Sequence, residues 1–153
     1  MKYSATSKDF NYKLKILIAK EKLFWFLTPK IFTDKPFCGS YDKDSFDLNL
    51  NTFIPSLKPF RIRGTYKKNK SNYNIEYEID TTKASKIFSI IVIIISFFVF
   101  NLLAYSETKE LSIAPTILIF GFALFGIVMR TLIINYLKRK FRKEFNLENI
   151  KQI

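Results

Sequence analysis

Hydrophobic and polar residues alternate in several short segments of the first half of the chain, which is the pattern of strands with one buried face. The segments FNYKLKILI (residues 10–18) and SFDLNL (residues 45–50) both follow it. So do FRIRGTYKK (residues 60–68) and YNIEYEID (residues 73–80), and the turn sequence KNKSN between them predicts an antiparallel hairpin. The segment PFCGSY (residues 36–41) is expected to pair with SFDLNL across a short acidic turn.

The segment AKEKLFWFLTP (residues 19–29) can either extend the first strand or form a short helix. We favour the helix, because Glu21 and Lys22 interrupt the alternation and Pro29 supplies a stop signal. Residues 1–84 are therefore predicted to form an α+β domain with a strand, a short helix and about four further antiparallel strands. Its sheet has one apolar face.

Two long apolar segments follow this domain. Residues 87–105 contain no charge, and nineteen residues of helix measure ~28 Å, about the thickness of the hydrocarbon core of a bilayer. Residues 111–137 contain one charge, Arg130. Because residues 106–110 are too few for more than a tight turn, the two segments predict a transmembrane helical hairpin.

Basic residues near the apolar segments predict the orientation of this hairpin. Lys83 and Lys86 precede the first segment and the run KRKFRK (residues 138–143) follows the second, whereas the connecting turn has Lys109 beside two glutamates. Both termini are therefore expected in the cytoplasm, with the hairpin in the plasma (inner) membrane.

The tail, residues 138–153, is predicted to continue the second helix out of the bilayer. Its phenylalanines, Phe141 and Phe145, have helical spacing, so we expect them on the membrane surface with basic residues around them. The residues predicted to contact anionic lipid headgroups are Lys138, Arg139, Lys140, Arg142 and Lys143.

Arg130 is a candidate functional residue, because charged side chains inside membrane segments are costly and often serve a function. The alternative is a long side chain that reaches the nearby phosphates, and the position of Arg130 about two turns before Lys138 favours it.

Few residues in this chain could support catalysis or bind a metal. The chain has no histidine, which removes the commonest general base and metal ligand, and its one cysteine, Cys38, cannot form an intrachain disulfide. A packed strand residue is favoured over a reactive thiol for Cys38. Asp42, Asp44 and Asp47 lack the glycine and glutamate of a calcium loop, so a charged turn is favoured. The sequence predicts no enzyme activity, no cofactor and no metal.

The chain resembles a group of uncharacterised small bacterial membrane proteins that have an N-terminal cytoplasmic β-rich domain followed by transmembrane helices. The resemblance covers about residues 10–105 and follows their pattern of Phe-x-Gly, a strand, Asn-Ser-Phe-x-Pro and a later glycine. The matching residues are Phe37, Gly39, Phe46, Asn51, Thr52, Phe53, Pro55 and Gly64. This chain departs from the pattern in having Thr52 for serine and a longer segment before Gly64. The resemblance implies the architecture alone.

The residues of this pattern also have a direct physical interpretation. Gly39 and Gly64 inside strands predict a bulge or a close approach of backbone. Pro55 and Pro59 predict a defined crossing between the two strand pairs. Asn51 and Thr52, at its start, are candidate binding residues, although a structural role is favoured.

These features predict a non-enzymatic membrane protein whose cytoplasmic domain binds a partner protein or assembles with copies of itself. The alternative is a subunit of an oligomeric transporter or channel, for which Arg130, Asn101 and Asn135 are the polar candidates. Nucleic-acid binding is disfavoured despite a net charge of +8 over residues 1–86, because the aromatic residues share a face with the aliphatic ones and the lysines are dispersed.

Overall fold

The computed structural model describes residues 2–20, 33–54, 57–108 and 113–153. The chain divides into two compact units. The sheet unit consists of Met1–Thr81 and Ile134–Ile153, and the helical unit consists of Thr82–Ile133.

The sheet unit contains one seven-stranded mixed sheet and two helical segments on one of its faces. Its strands are β1 (Lys2–Ser7), β2 (Ile18–Lys20), β3 (Phe37–Tyr41), β4 (Ser45–Leu50), β5 (Phe60–Asn69), β6 (Asn72–Thr81) and β7 (Glu148–Gln152). Their order is β2-β3-β4-β5-β6-β1-β7, in which only the β2–β3 pair is parallel. The helices in the described part of the chain are α1 (Phe10–Leu17), α2 (Lys83–Thr108) and α3 (Ala114–Phe145). The α+β class is confirmed, with more strands than the sequence predicted.

Both predicted hairpins are present. In β5 and β6, Ile62 pairs with Ile79 and Tyr66 with Ile75, so the apolar sides of both strands share one face. The strands are joined at Lys70, whose φ of 52° lies in the left-handed region. The strands β3 and β4 also pair antiparallel, as predicted.

The prediction of a strand over residues 10–18 is wrong, because residues 10–17 form α1. Phe10 and Leu14 are fully buried, whereas Tyr12 and Ile16 are exposed, which is the burial of a helix and not of a strand. The first strand along the chain is β1, and no strand was predicted there from the sequence. The predicted helix over residues 19–29 lies mostly outside the described residues, and its first two residues, Ala19 and Lys20, belong to β2.

The tail does not form a helix to its end. The helix α3 ends at Phe145, and residues 148–152 form β7, which pairs with β1. Phe141 and Phe145 have no exposed surface. They pack in the core of the sheet unit, so the prediction that they lie on a lipid surface is wrong.

The core of the sheet unit is an aromatic cluster between the sheet and the two helical segments. The rings of Phe141 and Phe145 have centroids 4.6 Å apart, and Phe37 packs against both at 6.0 and 5.6 Å. The other rings of the cluster belong to Phe10, Phe46, Tyr66 and Tyr77. A fully buried phenylalanine contributes roughly 1.5–3 kcal/mol through the hydrophobic effect, so the end of α3 is a large part of this core.

Among the described residues, two helices are long and apolar enough to cross a membrane. The first candidate span, Lys83–Ser106, has a mean hydropathy of 2.8 and the second, Thr116–Phe145, has 2.5. The helix α2 continues to Thr108, so residues 106–108 of the predicted turn are helical. Ile134 and Leu137, which the sequence assigned to the second span, are buried in the sheet unit.

Candidate functional site

The connection between β4 and β5, which begins at Asn51, contains the candidate binding residues Asn51 and Thr52. The Asn51 side chain is 6% exposed, and its Nδ2 donates hydrogen bonds to the carbonyl oxygens of Thr33 at 2.9 Å and Lys35 at 2.8 Å. The Asn51 backbone N–H donates to the carbonyl of Pro36. Asn51 therefore holds the segment before β3 against the end of β4, and both of its amide protons are used within the protein.

The next residues form a tight turn that presents two apolar side chains to solvent. Thr52 Oγ1 accepts a hydrogen bond from the backbone N–H of Ile54 at 3.1 Å, and the N–H of Leu57 donates to the carbonyl of Ile54 at 3.2 Å. Leu57 is buried, whereas Phe53 is 54% exposed and Ile54 is 53% exposed. Residues 52–54 are thus held by a local hydrogen bond, and they expose two apolar side chains.

The sequence assigned a possible binding role to Asn51 and Thr52, which the structure shows bonded to backbone groups, and it gave no role to Phe53 or Ile54. The signal was present in the sequence. Two adjacent large apolar residues stand there outside the alternation of both neighbouring strands, between polar residues and Pro55.

The basic residues at the end of α3 surround the buried phenylalanines. Arg139, Arg142 and Lys143 are exposed, and Lys140 is half-buried. Lys138 is half-buried too, with its Nζ 4.1 Å from the centroid of the Tyr3 ring in a cation–π contact. The three exposed residues can meet an anionic surface, whereas part of the Lys138 side chain is engaged with β1.

Arg130 is exposed and belongs to the helical unit. It precedes Ile134, the first residue of the helix buried in the sheet unit, by four residues, or ~6 Å of helix. A position so close to the end of the apolar segment agrees with a side chain that reaches the headgroups.

The sheet face opposite the core is polar. The carboxylate Oδ2 of Asp47 accepts hydrogen bonds from Arg61 Nη1 and Arg63 Nε, both at 3.0 Å. A groove of about 540 Å³ on this face is lined by residues that include Lys2, Arg63, Asp47, Glu76 and Glu78. Positive and negative side chains alternate across it, and ion pairs of this exposure contribute only about 0–1 kcal/mol each. The face is therefore a solvated surface without a dominant charge.

The acidic turn between β3 and β4 is closed by backbone contacts. Asp42 N–H donates to the carbonyl of Ser45, and the Tyr66 hydroxyl donates to the carbonyl of Asp42 at 2.7 Å. Burial, with smaller effects from Tyr73 and Asp44, raises the pKa of Tyr66. Over residues 2–20, 33–54, 57–108 and 113–153, no group of three or more His, Cys, Asp or Glu side chains is placed to hold a metal ion.

Two further groups in the core have restricted chemistry. Cys38 is buried, and its Sγ lies 3.8 Å from the carbonyl oxygen of Asn49. Tyr77 is 2% exposed, its hydroxyl has no hydrogen-bond partner within the described part of the chain, and burial raises its pKa. Both side chains are therefore shielded from solvent.

No protein family model, curated protein or solved structure matches this chain.

Proposed function

We propose that this chain is a small integral membrane protein without enzymatic activity. The sheet unit lies on the cytoplasmic side of the plasma membrane and binds a partner protein or a second copy of the chain. The two apolar helices hold it there.

The exposure of α2 is the observation that carries the membrane part of this proposal. In the most apolar 18-residue stretch of Lys83–Ser106, no residue is buried. In the corresponding stretch of Thr116–Phe145, only 11% of the residues are buried. A core helix of a soluble protein would be mostly buried, and apolar patches of this extent are rare on soluble surfaces. Lipid is the environment that satisfies these helices, because their backbone hydrogen bonds are internal.

The distribution of charge supports the cytoplasmic side. Arg139, Arg142 and Lys143 are exposed beyond the second apolar segment, and Lys83 and Lys86 are exposed at the start of the first. Lysine and arginine next to apolar spans are retained on the cytoplasmic side.

Hydrogen bonds within the helices disfavour the alternative of a channel subunit. Asn101 Nδ2 donates to the Phe97 carbonyl of its own helix at 2.7 Å, and Thr131 Oγ1 donates to the Ile127 carbonyl at 3.0 Å. A polar side chain bonded to its own backbone has less capacity to solvate an ion in a pore.

Thiol labelling in intact cells tests the membrane topology. The sole cysteine is first removed with C38A, and S106C or S71C is then introduced; Ser106 lies near the end of α2 and Ser71 in the β5–β6 turn. We expect an impermeant maleimide to label S106C in intact cells and S71C only after lysis. The reverse pattern contradicts the orientation, and release of the chain from membranes by alkaline carbonate contradicts membrane insertion.

Purification in mild detergent tests the binding part of the proposal. We expect the tagged chain from its native membrane to sediment as an oligomer or to retain a stoichiometric partner. A monomer that retains no other protein contradicts this part and leaves the membrane part unaffected.

A further inference from the structure

The turn that carries Phe53 and Ile54 lies at a defined end of the sheet. It connects the end of β4 to Phe60, the first residue of β5, and Phe60 pairs with Thr81, the last residue of β6. The helix α2 begins at Lys83, two residues after Thr81. The exposed apolar turn therefore stands at the end of the sheet from which the first apolar helix starts.

The opposite end of the sheet differs in character. The β5–β6 turn there contains Lys70 and Ser71, both exposed and polar. Strand β6 has ten residues, so Ser71 lies roughly 33 Å along the strand from Thr81. Exposed apolar side chains and polar turn residues are thus at opposite ends of the same strand pair.

The composition of the apolar turn fits a lipid–water interface. A phenylalanine and an isoleucine more than half exposed are unfavourable in water, whereas aromatic and aliphatic side chains beside a basic residue are typical of interfacial segments. Lys58 follows in the same connection, and exposed Lys83 and Lys86 begin α2. These cations match the negative potential of an anionic leaflet.

The hydrogen bonds before Phe53 and Ile54 also favour insertion. The Asn51 amide is bonded to two backbone carbonyls, and the Thr52 hydroxyl accepts from the Ile54 N–H. Backbone that is already held in this way loses little conformational freedom when the two apolar side chains enter the interface.

We propose that Phe53 and Ile54 insert into the acyl–headgroup boundary of the same leaflet from which α2 enters the membrane. This inference rests on the proposed function, because it requires α2 to span the bilayer. The turn then sets how close the sheet unit stands to the lipid surface.

Quenching of tryptophan fluorescence by brominated lipid tests the insertion in the full chain. The native tryptophan is removed with W25F, and one new tryptophan is introduced per variant: F53W at the turn, S71W at the far end of the sheet and F98W within α2. Each variant is reconstituted in vesicles of phosphatidylcholine and phosphatidylglycerol whose phosphatidylcholine is brominated near the glycerol end of the acyl chains for F53W and S71W, and near their methyl end for F98W, which lies mid-segment in α2. We expect F53W to be quenched roughly twofold or more over S71W, since interfacial side chains reach the acyl boundary.

The variants separate failure of this inference from failure of the proposed function. Quenching of F98W together with F53W, but not S71W, supports insertion. Quenching of F98W alone overturns the inference, retains the membrane span and leaves the turn as a surface for another protein. Equal quenching of F53W and S71W also overturns it, because the effect is then not specific to the turn. No quenching of F98W overturns the proposed function and the inference together.

Discussion

The ring of Phe145 lies with its centroid 5.1 Å from that of Phe10, although one residue is at the end of α3 and the other begins α1. Ser7 Oγ strengthens this junction by donating to the Phe145 carbonyl at 2.9 Å in a buried position. The core of the sheet unit is thus completed by residues at the end of the second apolar helix.

Phe141→Ala should destabilise the sheet unit strongly. Its ring is fully buried among five other aromatic rings, and such truncations cost about 3–5 kcal/mol. Urea-dependent labelling of the buried Cys38 thiol in detergent measures the effect, because that thiol reacts only when the unit opens. Phe122→Ala, in the same helix but 67% exposed, should leave the protection of Cys38 unchanged. Equal protection in the two variants would contradict the packing of Phe141.

Residues 2–81 joined to residues 134–153 by a flexible linker should fold without the helical unit. The joined chain keeps all seven strands and the aromatic core, whereas residues 1–84 alone lack β7, Phe141 and Phe145. Amide proton dispersion in NMR spectra of both soluble chains measures folding. A folded 1–84 fragment would show that the end of α3 is dispensable.

Gly39→Ala and Gly64→Ala should each destabilise the sheet by about 1–3 kcal/mol or more. A Cβ on Gly39 would collide with the backbone oxygen of Asp47, and Gly39 has a φ of +148°; a Cβ on Gly64 would collide with the oxygen of Glu76. The matched controls are Gly121→Ala and Gly126→Ala in α3, where nothing lies within 4 Å of the added carbon. The controls should leave Cys38 protection unchanged, and a loss of protection there as large as in the strand variants would refute this explanation.

Stability should fall at alkaline pH, and Tyr77→Phe should reduce that fall. Burial, with a smaller effect of Tyr3, raises the Tyr77 pKa above its ordinary value of 10.0, partly opposed by Arg142. The folded state therefore favours the neutral phenol: its contribution is complete below pH 10.0 and is lost as pH rises towards the folded pKa. Unfolding midpoints of the wild-type chain and of Tyr77→Phe, from neutral to strongly alkaline pH, measure this loss of stability.

At neutral pH the same substitution should be nearly neutral, because it removes a buried hydroxyl that has no partner among the described residues. Tyr66→Phe is the comparison, since it loses the 2.7 Å hydrogen bond to Asp42 and should cost about 1 kcal/mol. A larger loss in Y77F than in Y66F would indicate a partner for the Tyr77 hydroxyl.

Asn51→Ala should destabilise the sheet unit by about 1–3 kcal/mol, because the carbonyls of Thr33 and Lys35 lose their buried donor. Thr52→Ala removes one hydrogen bond in an exposed turn and should cost less. Unfolding midpoints in urea compare the two. If N51A keeps full stability, the structural role assigned to Asn51 is wrong.

The hairpin of β5 and β6 was predictable because buried residues recur at period two in both strands, on either side of a turn sequence, which leaves one register that buries both apolar faces. The helix α1 was not predictable from the same pattern. Phe10 and Leu14 are four residues apart, and residues with this spacing lie on one side of a helix as well as on one side of a strand. Strand β7 has no alternation to detect and no fully buried residue. This strand forms because it pairs with β1, and a contact so distant in sequence leaves no local sequence pattern.

The helical spacing of Phe141 and Phe145 correctly indicated that one side of α3 contacts an apolar surface. Spacing alone does not distinguish a lipid surface from the face of a sheet. Similarly, Asn51 was identified as a special position, while its role depends on carbonyl groups sixteen and eighteen residues earlier in the chain. Contacts that are distant in sequence decide both cases.

The neighbouring positions of β1 and β7 impose an order on biosynthesis. The ribosome releases β1 to β6 first, and their aromatic side remains uncovered while the two apolar helices are synthesised. Only when Phe141, Phe145 and β7 emerge can the unit close. In the topology proposed above, a chain whose second helix failed to return to the cytoplasm would keep these residues on the opposite side of the membrane from β1 to β6, so the unit would remain open and become a substrate for quality-control proteases.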